Sequence, residues 1–142
     1  MNKSGLVVVN SVDVSDKNYF EEIKKYETLK MKYYSCVVWC KKNVDNKDIE
    51  LLNEVKNLTV IQKTPFRVLH RRTLMDRNKI IYKIDATKIN DHFMIVNVLA
   101  SAGTYIKEFV HSDLGRTKPS LVSLLQSECD ILQLDVLDLI LL

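Results

Sequence analysis

The sequence predicts one α+β domain with a mixed, mostly antiparallel sheet and flanking helices. The 142 residues match the usual length of a single domain. Short helical patterns alternate with β-rich runs, and no internal repeat or low-complexity linker interrupts them. Two long β-rich runs, at 78–89 and 92–101, meet at the turn sequence NDH, as the strands of an antiparallel hairpin do.

The first 30 residues predict a strand followed by a helix. Residues 6–9 form a short β-branched run, which is typical of a strand. Ser15 offers an N-cap for a helix over about 16–29, because acidic residues lie early in that segment and lysines lie late.

The next segments predict a core strand, a helix and a second strand. Period-two alternation over 31–40 separates two faces, one with Tyr34, Cys36, Val38 and Cys40 and the other with Tyr33, Ser35, Val37 and Trp39. Asp45 or Asn46 can cap a helix over about 47–56, whose apolar side carries Ile49, Leu51, Leu52 and Val55. A strand over 58–66 ends at Pro65, which has no backbone donor.

The C-terminal third predicts two short helices and a last strand. Gly103 ends the hairpin, and Thr104 can cap a helix over about 104–112 with Ile106, Phe109 and Val110 on its apolar side. Gly115 is a candidate stop for that helix, and Pro119 fits the first turn of the next. The run 129–142 predicts a strand, so the chain reads as a piece of a larger sheet whose exposed edges can self-associate.

Positive charge is concentrated in one segment. The chain carries a net charge of +3, whereas residues 63–88 contain eight Lys or Arg and only two Asp. Such a basic block predicts contact with a polyanion, and the alternative is a solvated face. Basic and apolar residues interleave in the sequence RVLHRR at 67–72, which favours an anchored, exposed loop.

The cysteines and the hydropathy indicate an intracellular protein outside the membrane. Three cysteines do not form a disulfide framework, and we expect them to be buried and reduced. A zinc site would need a second pair of Cys or His near Cys36 and Cys40, and the sequence has none there. No apolar run is long enough to cross a bilayer, and the first residues do not form a signal peptide.

Residues 100–119, ASAGTYIKEFVHSDLGRTKP, combine small, aromatic and basic residues. Gly103 allows a tight exit from a strand, and the following helix start presents free N–H groups. Lys107 and His111 lie one turn apart on the same side of that helix. The pattern predicts a site for an anionic or planar ligand, and an ordinary half-exposed helix is the alternative.

This segment closely resembles the third conserved motif of RNA pseudouridine synthases, in the version of the archaeal and eukaryotic tRNA synthases of the Pus-ten family. Four further stretches resemble that family in the same order: KYYSCVVW (32–39), IQKTPFRVLHRRTL (61–74), SLVSLL (120–125) and CDILQLDV (129–136). The resemblance covers nearly all of residues 31–136. Ser112 and Tyr33 depart from it, at positions where glycine and threonine are usual.

The resemblance implies a site without metal or cofactor. Tyr34 is expected to stack on the target base, Lys107 to pair with the catalytic aspartate, and Leu124 to pack on the uracil ring. A core position is the alternative for Tyr34 and for Leu124, and His111 is expected to be structural. The expected RNA-binding side chains are Arg67, His70, Arg71, Arg72, Arg77 and Arg116.

The family's nucleophilic aspartate has no counterpart in these 142 residues. It belongs to a segment resembling GRED-x-D, and none of the chain's aspartates lies in such a context. We therefore expect residues 1–142 to be the C-terminal portion of a catalytic domain that lacks the nucleophile segment and the N-terminal RNA-binding portion. The resemblance implies isomerisation of uridine in tRNA, in the TΨC arm, in the cytoplasm or nucleus, with the isolated chain inactive. The alternative is a non-catalytic RNA-binding module derived from the same fold.

Overall fold

A computed structural model describes residues 31–140, with side chains described as far as Leu137. The predicted strand at 6–9 and helix at 16–29 lie outside the described residues. In chain order the elements are β1 (Met31–Cys40), α1 (Asn46–Asn53), β2 (Lys56–Lys63), a 3₁₀ turn (Phe66–Val68), β3 (Asp76–Lys88), β4 (Phe93–Ser101), α2 (Ile106–His111), β5 (Thr117–Lys118), α3 (Leu121–Leu125) and β6 (Cys129–Ile140).

Within this part of the chain six strands form one sheet, in the order β5-β2-β3-β4-β1-β6. Every pairing is antiparallel. The predicted hairpin of β3 and β4 is confirmed. Across its turn the Ile89 N–H donates to the Phe93 carbonyl with an N···O distance of 2.9 Å, within the usual range for such a bond. The short strand β5 was not predicted, because two residues carry no readable period. The α+β prediction is confirmed.

The alternation predicted for β1 is confirmed. Tyr34, Cys36, Val38 and Cys40 are buried, and the intervening residues are half-buried. The buried face of the sheet packs against all three helices, which contribute Leu52 from α1, Ile106, Phe109 and Val110 from α2, and Leu121 and Leu125 from α3. The helices thus lie on the buried face of the sheet, and this places α2 next to β6.

Helix α1 begins with a reciprocal cap. The Asp45 carboxylate accepts from the Asp48 N–H, and the Asp48 carboxylate accepts from the Asp45 N–H. Asp45 is therefore the cap, one of the two predicted candidates. The helix ends at Asn53, earlier than predicted, and its Asn53 side chain accepts from the Ala86 N–H of β3. The apolar assignment of Leu51 was wrong, since it is exposed, and buried Asp48 occupies that side instead.

The Asp48 carboxylate gives a testable pH dependence. Burial opposes its ionisation, but hydrogen bonds from the Lys42 ammonium and the Asp45 N–H outweigh burial and lower the pKa of Asp48. A lowered folded pKa stabilises the protein above the unfolded value of about 3.9, and this stabilisation disappears as the pH falls through the folded pKa. Asp48→Asn is expected to lower the free energy of unfolding by about 1 kcal/mol at pH 7.

Urea unfolding between pH 3 and 7 checks this, and the difference between variant and wild type should begin to narrow as the pH falls below about 4. Asp85→Asn is the matched control, because Asp85 forms an exposed ion pair with Lys83 at 3.5 Å, which contributes little. A pH-independent difference for Asp48→Asn would contradict the assignment.

Three expected helix boundaries in the C-terminal third were wrong. Thr104 does not cap α2, because its hydroxyl donates to the Ser101 carbonyl at 2.6 Å and closes the turn after β4. The helix starts at Ile106, after Tyr105, which makes no side-chain cap. It ends at His111 with Ser112 as its C-cap, ahead of Gly115. Pro119 precedes α3, whose N-cap is Ser120.

The turn after α2 has left-handed backbone over four successive residues. Ser112, Asp113 and Leu114 have φ values of 72°, 50° and 56°, and Gly115 follows at 83°. Non-glycine residues rarely adopt this conformation, so neighbouring bonds must hold the turn. The Gly115 N–H donates to the Ser112 hydroxyl, and the Thr117 N–H donates to the Ser112 carbonyl.

All three cysteines are free and buried, as predicted. The Cys36 thiol donates to the Val96 carbonyl at 3.1 Å, and burial raises the pKa of Cys36 to about 12. Cys40 and Cys129 pair across β1 and β6, with their Sγ atoms 3.3 Å apart. In the described part of the chain, no helix has the length and apolarity that a membrane span requires.

Candidate functional site

Gly103 allows the chain to turn from β4 into the site. Its φ of +77° lies in the left-handed region, which glycine adopts readily. A Cβ atom there would lie 3.1 Å from the Lys79 Nζ, which donates to the neighbouring Ala102 carbonyl. Burial, with help from the charge of Arg77, lowers the pKa of Lys79. The backbone conformation therefore favours glycine at this position, and any side chain there would also have to displace the end of the Lys79 side chain slightly.

Tyr105 is held by the side chain of Gln62. The Gln62 amide nitrogen donates to the Tyr105 carbonyl at 2.8 Å, and the Tyr105 N–H donates to the Gln62 carbonyl oxygen at 2.9 Å. Gln62 is fully buried, so its amide must be paired. These two hydrogen bonds between the Gln62 side chain and the Tyr105 backbone attach the start of α2 to strand β2.

An ion pair between a buried carboxylate and a half-exposed arginine lies behind α2. Glu108 is 1% exposed, and its Oε1 and Oε2 accept from the Arg67 Nε at 2.6 Å and the Arg67 Nη2 at 3.4 Å. The hydrogen bond with Glu108 raises the pKa of Arg67. The guanidinium carbons of Arg67 and Arg77 lie 5.8 and 5.9 Å from the centre of the Tyr105 ring, within cation–π range.

Lys107 projects from the opposite side of α2 into an open cleft. The cleft has a volume of about 470 Å³ and lies between α2 and β6, lined by Lys107, His111, Asp130, Ile131, Leu132, Gln133 and Leu134. Within residues 31–140 the Lys107 ammonium makes no hydrogen bond or ion pair. The predicted proximity of Lys107 and His111 is confirmed. A free cation in a cleft is suited to pair with an anion supplied from outside these residues.

His111 has a structural contact, as expected. Its Nδ1 accepts from the Asp113 N–H at 3.0 Å, which supports the left-handed turn after α2. Asp113 in turn accepts from the Phe66 N–H at 3.2 Å. His111 therefore connects the cleft to the loop that follows β2.

Tyr34 and Leu124, the other two expected catalytic residues, do not line this cleft. Tyr34 is 7% exposed and lies between Val98 and Val136 of the flanking strands. Burial raises the pKa of Tyr34. Leu124 is half-buried on α3 and packs against the core. Both residues occupy the core positions that were the alternative, and their contact with a base stays a prediction.

The six expected RNA-binding side chains divide into two groups. Three of them bond inside the protein: Arg67, Arg77 and Arg116. The Arg77 Nη1 donates to the Thr64 hydroxyl at 3.0 Å, and the Arg116 Nη2 donates to the Thr64 carbonyl at 2.7 Å. Arg116 also stacks on the Phe66 ring, 4.5 Å from its centre. These bonds hold the loop after β2 in place.

The second group, His70, Arg71 and Arg72, is exposed at the tip of the same loop. Their side chains make no hydrogen bond or ion pair with any other described residue. We define the basic loop as residues 64–77. It also exposes Leu74 and Met75, so cations and apolar side chains share one surface. Such a surface suits a backbone of phosphates with unstacked bases.

Gln62 and Glu108 were missed by sequence reasoning. Gln62 follows Val60 by two positions, so alternation places it on the buried face of β2. Glu108 stands between the apolar residues Ile106 and Phe109 in a short helix, and a charged residue there signals an internal partner. The partner itself, Arg67, is 41 positions away and leaves no local signal. Within residues 31–140 no three metal-ligating side chains cluster.

Comparison with known proteins identifies relatives over nearly the whole chain. The family model described as Pus10, C-terminal, matches residues 1–139. The tRNA pseudouridine synthase Pus10 of Homo sapiens is 42% identical over 135 residues, which cover 95% of this chain and 26% of that protein. Its namesake in Methanocaldococcus jannaschii is 36% identical over 141 residues, 96% of this chain and 30% of that protein. The chain thus spans less than a third of the length of these relatives.

Solved structures share the fold. A chain of a Cbf5–Nop10–Gar1 complex superposes with a TM-score of 0.60 at 23% identity, over 80% of this chain and 32% of that chain. A chain of an H/ACA RNP bound to a substrate RNA containing 2′-deoxyuridine gives a TM-score of 0.56 at 19% identity, over 78% of this chain and 29% of that one. At these identities the likeness shows the α+β fold alone.

Proposed function

The chain belongs to the Pus10 C-terminal family, and we propose that it forms part of the catalytic domain of a tRNA pseudouridine synthase. It supplies residues that hold the target uridine and support the nucleophile, and the nucleophilic aspartate comes from a segment outside these 142 residues. The substrate is a uridine of the TΨC arm. A tRNA substrate implies an intracellular protein, cytoplasmic or nuclear.

The observation that carries this proposal is the free ammonium of Lys107 in the cleft between α2 and β6. A nucleophilic carboxylate must stay ionised while it is shielded from water. A cation within a few ångströms lowers the pKa of such a carboxylate. Lys107 has the charge that this role requires, it lines the cleft, and it has no ion-pair partner among residues 31–140.

In the proposed reaction the basic loop binds the RNA, and the cleft that contains Lys107 is where the bond changes occur. The target uridine must leave the RNA stack, because its glycosidic bond is out of reach inside it. The basic loop holds the RNA backbone, and an aromatic or apolar face holds the flipped base. The aspartate attacks C1′ of the ribose and displaces N1 of uracil. The uracil then turns, and its C5 bonds to C1′ as the aspartate leaves. The proton on C5 is lost and N1 gains one. Atoms are conserved overall, so no cofactor is consumed.

Pseudouridine formation in an unmodified tRNA transcript tests this proposal. We expect the full-length protein that contains this chain to convert one uridine of the TΨC arm, read out by base-specific chemical derivatisation and primer extension. The isolated 142 residues should bind the transcript and convert none. Activity of the isolated chain contradicts the external nucleophile. Binding without conversion by the full-length protein would favour a non-catalytic RNA-binding module.

The two exposed arginines at the loop tip give a sharper test of RNA binding. Arg71→Ala with Arg72→Ala is expected to weaken tRNA binding and to lower the magnitude of the slope of log K against log salt by about 1.4–1.8, which is 0.7–0.9 for each of the two lost phosphate contacts. Filter binding between about 50 and 200 mM salt measures this slope.

Lys47→Ala is the matched control for this double variant. Lys47 is exposed on α1. This helix bonds to β3 at Ala86. Ala86 lies ten residues along β3 from Asp76, where the strand starts beside the basic loop. By the strand rise, the point at which α1 bonds to β3 lies about 30 Å along the strand from its start. An equal loss of slope in Lys47→Ala would show that the phosphate contacts are not localised to the loop.

A further inference from the structure

Glu108 is a carboxylate that the proposed reaction does not use. It is next to Lys107 in sequence, but successive helical residues project about 100° apart. Glu108 therefore points into the protein when Lys107 points into the cleft. A buried carboxylate is stable only when it is paired, and both of its oxygens accept from Arg67.

Helix α2 depends on such contacts for its orientation. It has six residues and no side-chain cap at its start, so its own hydrogen bonds define it weakly. Apolar packing of Phe109 and Val110 fixes its depth, but this packing is not directional. The paired bonds from Glu108 to Arg67 are directional, and they fix the rotation that presents Lys107 to the cleft.

The other end of this ion pair belongs to the basic loop. Arg67 lies in the 3₁₀ turn directly before the exposed tip. Its charge is taken up by Glu108, and its guanidinium also lies over Tyr105. The side chain of Arg67 is 49% exposed, but it forms a pair of zero net charge with Glu108. Arg71 and Arg72 have no such partner among the described residues, and in this respect Arg67 differs from them.

We propose that Glu108 is a positioning residue that binds Arg67 and so holds the basic loop in register with the helix bearing Lys107. RNA bound at the loop tip is thereby positioned so that its target uridine lies at the cleft. Arg67 acts in this device as a structural connector and not as a phosphate ligand. The inference rests on the proposed function for its catalytic consequence, but its charge assignment is independent of catalysis.

The charge assignment is tested by tRNA binding to the full-length protein, with an unmodified transcript as the probe. Arg67→Ala is expected to leave the salt slope within about 0.3 of wild type, whereas Arg71→Ala lowers it by about 0.7–0.9. Glu108→Gln keeps the shape and releases the Arg67 charge, so its salt slope should rise by about 0.7–0.9. Equal slopes for Arg67→Ala and Arg71→Ala overturn the proposal.

The positioning role is tested by steady-state kinetics of the same variants. Glu108→Gln is expected to lower kcat about tenfold or more, because small misplacement of a catalytic group is costly, and to change KM less than about threefold. A purely structural defect would lower the active fraction and the melting temperature together, without raising the salt slope. Unchanged kcat in a folded Glu108→Gln variant overturns the positioning role.

Arg67→Lys keeps the proposal testable if Glu108→Gln does not fold. Lysine retains the charge but cannot bond both carboxylate oxygens in a fixed plane. The salt slope of the Arg67→Lys variant should equal that of wild type, and the kcat of this variant should fall by about threefold or more. Wild-type kcat in Arg67→Lys would overturn the positioning role. If wild-type protein converts no uridine, the proposed function fails, while the salt slopes still decide the charge assignment.

Discussion

Replacing Lys107 with methionine in the full-length protein is expected to lower the rate of uridine isomerisation about 200- to 5000-fold, since removing one partner of a shielded ion pair costs about 3–5 kcal/mol. Methionine preserves much of the aliphatic stem. Lys107 is exposed, and among the described residues it has no partner to lose. The melting temperature should therefore change little while the chemical step fails.

The pH dependence of this variant should also change in a defined direction. Without the neighbouring cation the pKa of the nucleophilic carboxylate rises, so a smaller fraction is ionised at neutral pH. Activity of Lys107→Met should recover partly as the pH increases. Lys107→Arg keeps the charge and should retain more activity than Lys107→Met.

Single-turnover assays on an unmodified tRNA transcript measure these rates. Lys118→Met is the matched control, because Lys118 is an exposed lysine on β5 and does not line the cleft. It should keep the wild-type rate within about twofold, as exposed substitutions usually do. A Lys107→Met rate within threefold of wild type would exclude Lys107 as the partner of the nucleophile.

Phe109→Ala is expected to lower the free energy of unfolding by about 3–5 kcal/mol, the usual cost of removing a fully buried aromatic ring. Phe109 is the largest of the fully buried side chains. It lies directly after Glu108 on α2, so the cavity would open beneath the helix that carries Lys107. Domains of ordinary stability have about 5–15 kcal/mol in total, so this loss would remove a large part of it.

Urea unfolding at pH 7 measures the loss, and Leu114→Ala serves as the control. Leu114 lies in the turn after α2 and is 88% exposed, so its truncation should cost less than about 0.5 kcal/mol. A cost below about 1 kcal/mol for Phe109→Ala would mean that α2 does not pack on the core as described.

The division of the basic residues changes how the charged segment is understood. In sequence, Arg67, Arg71 and Arg72 are equivalent members of one cluster. In the structure Arg67 pairs with a buried carboxylate, whereas the two arginines at the loop tip are exposed and have no partner among residues 31–140. The proposed binding of a polyanion is therefore assigned to fewer cations than the composition suggests.

Strand β6 marks where the described sheet is open. It pairs with β1 on one side, and no described strand pairs with its other side. Leu132, Val136 and Leu137 are exposed along it, and two register shifts interrupt its pairing with β1. The cleft that contains Lys107 lies at this same strand. Free sheet edges of this kind pair readily with further strands.

The sequence alone determined the features that repeat with a local period. Alternation over β1 predicted its buried face, and the turn sequence between β3 and β4 predicted the hairpin. The 3.6-residue pattern predicted that Phe109 and Val110 lie in the core. Local patterns of this kind are readable because each residue's burial follows from the geometry of its own element.

Only the tertiary structure decided which polar groups meet. Glu108 accepts from Arg67, 41 positions away in the sequence, and Gln62 accepts from Tyr105, 43 positions away. Neither pair follows from any period, because the contact depends on how distant elements pack. The same packing turned the Thr104 hydroxyl toward Ser101 and away from a helix cap. Whether an arginine is free to bind phosphate is therefore set by its partner in space, while the positions of the strands and helices follow from the order of residues.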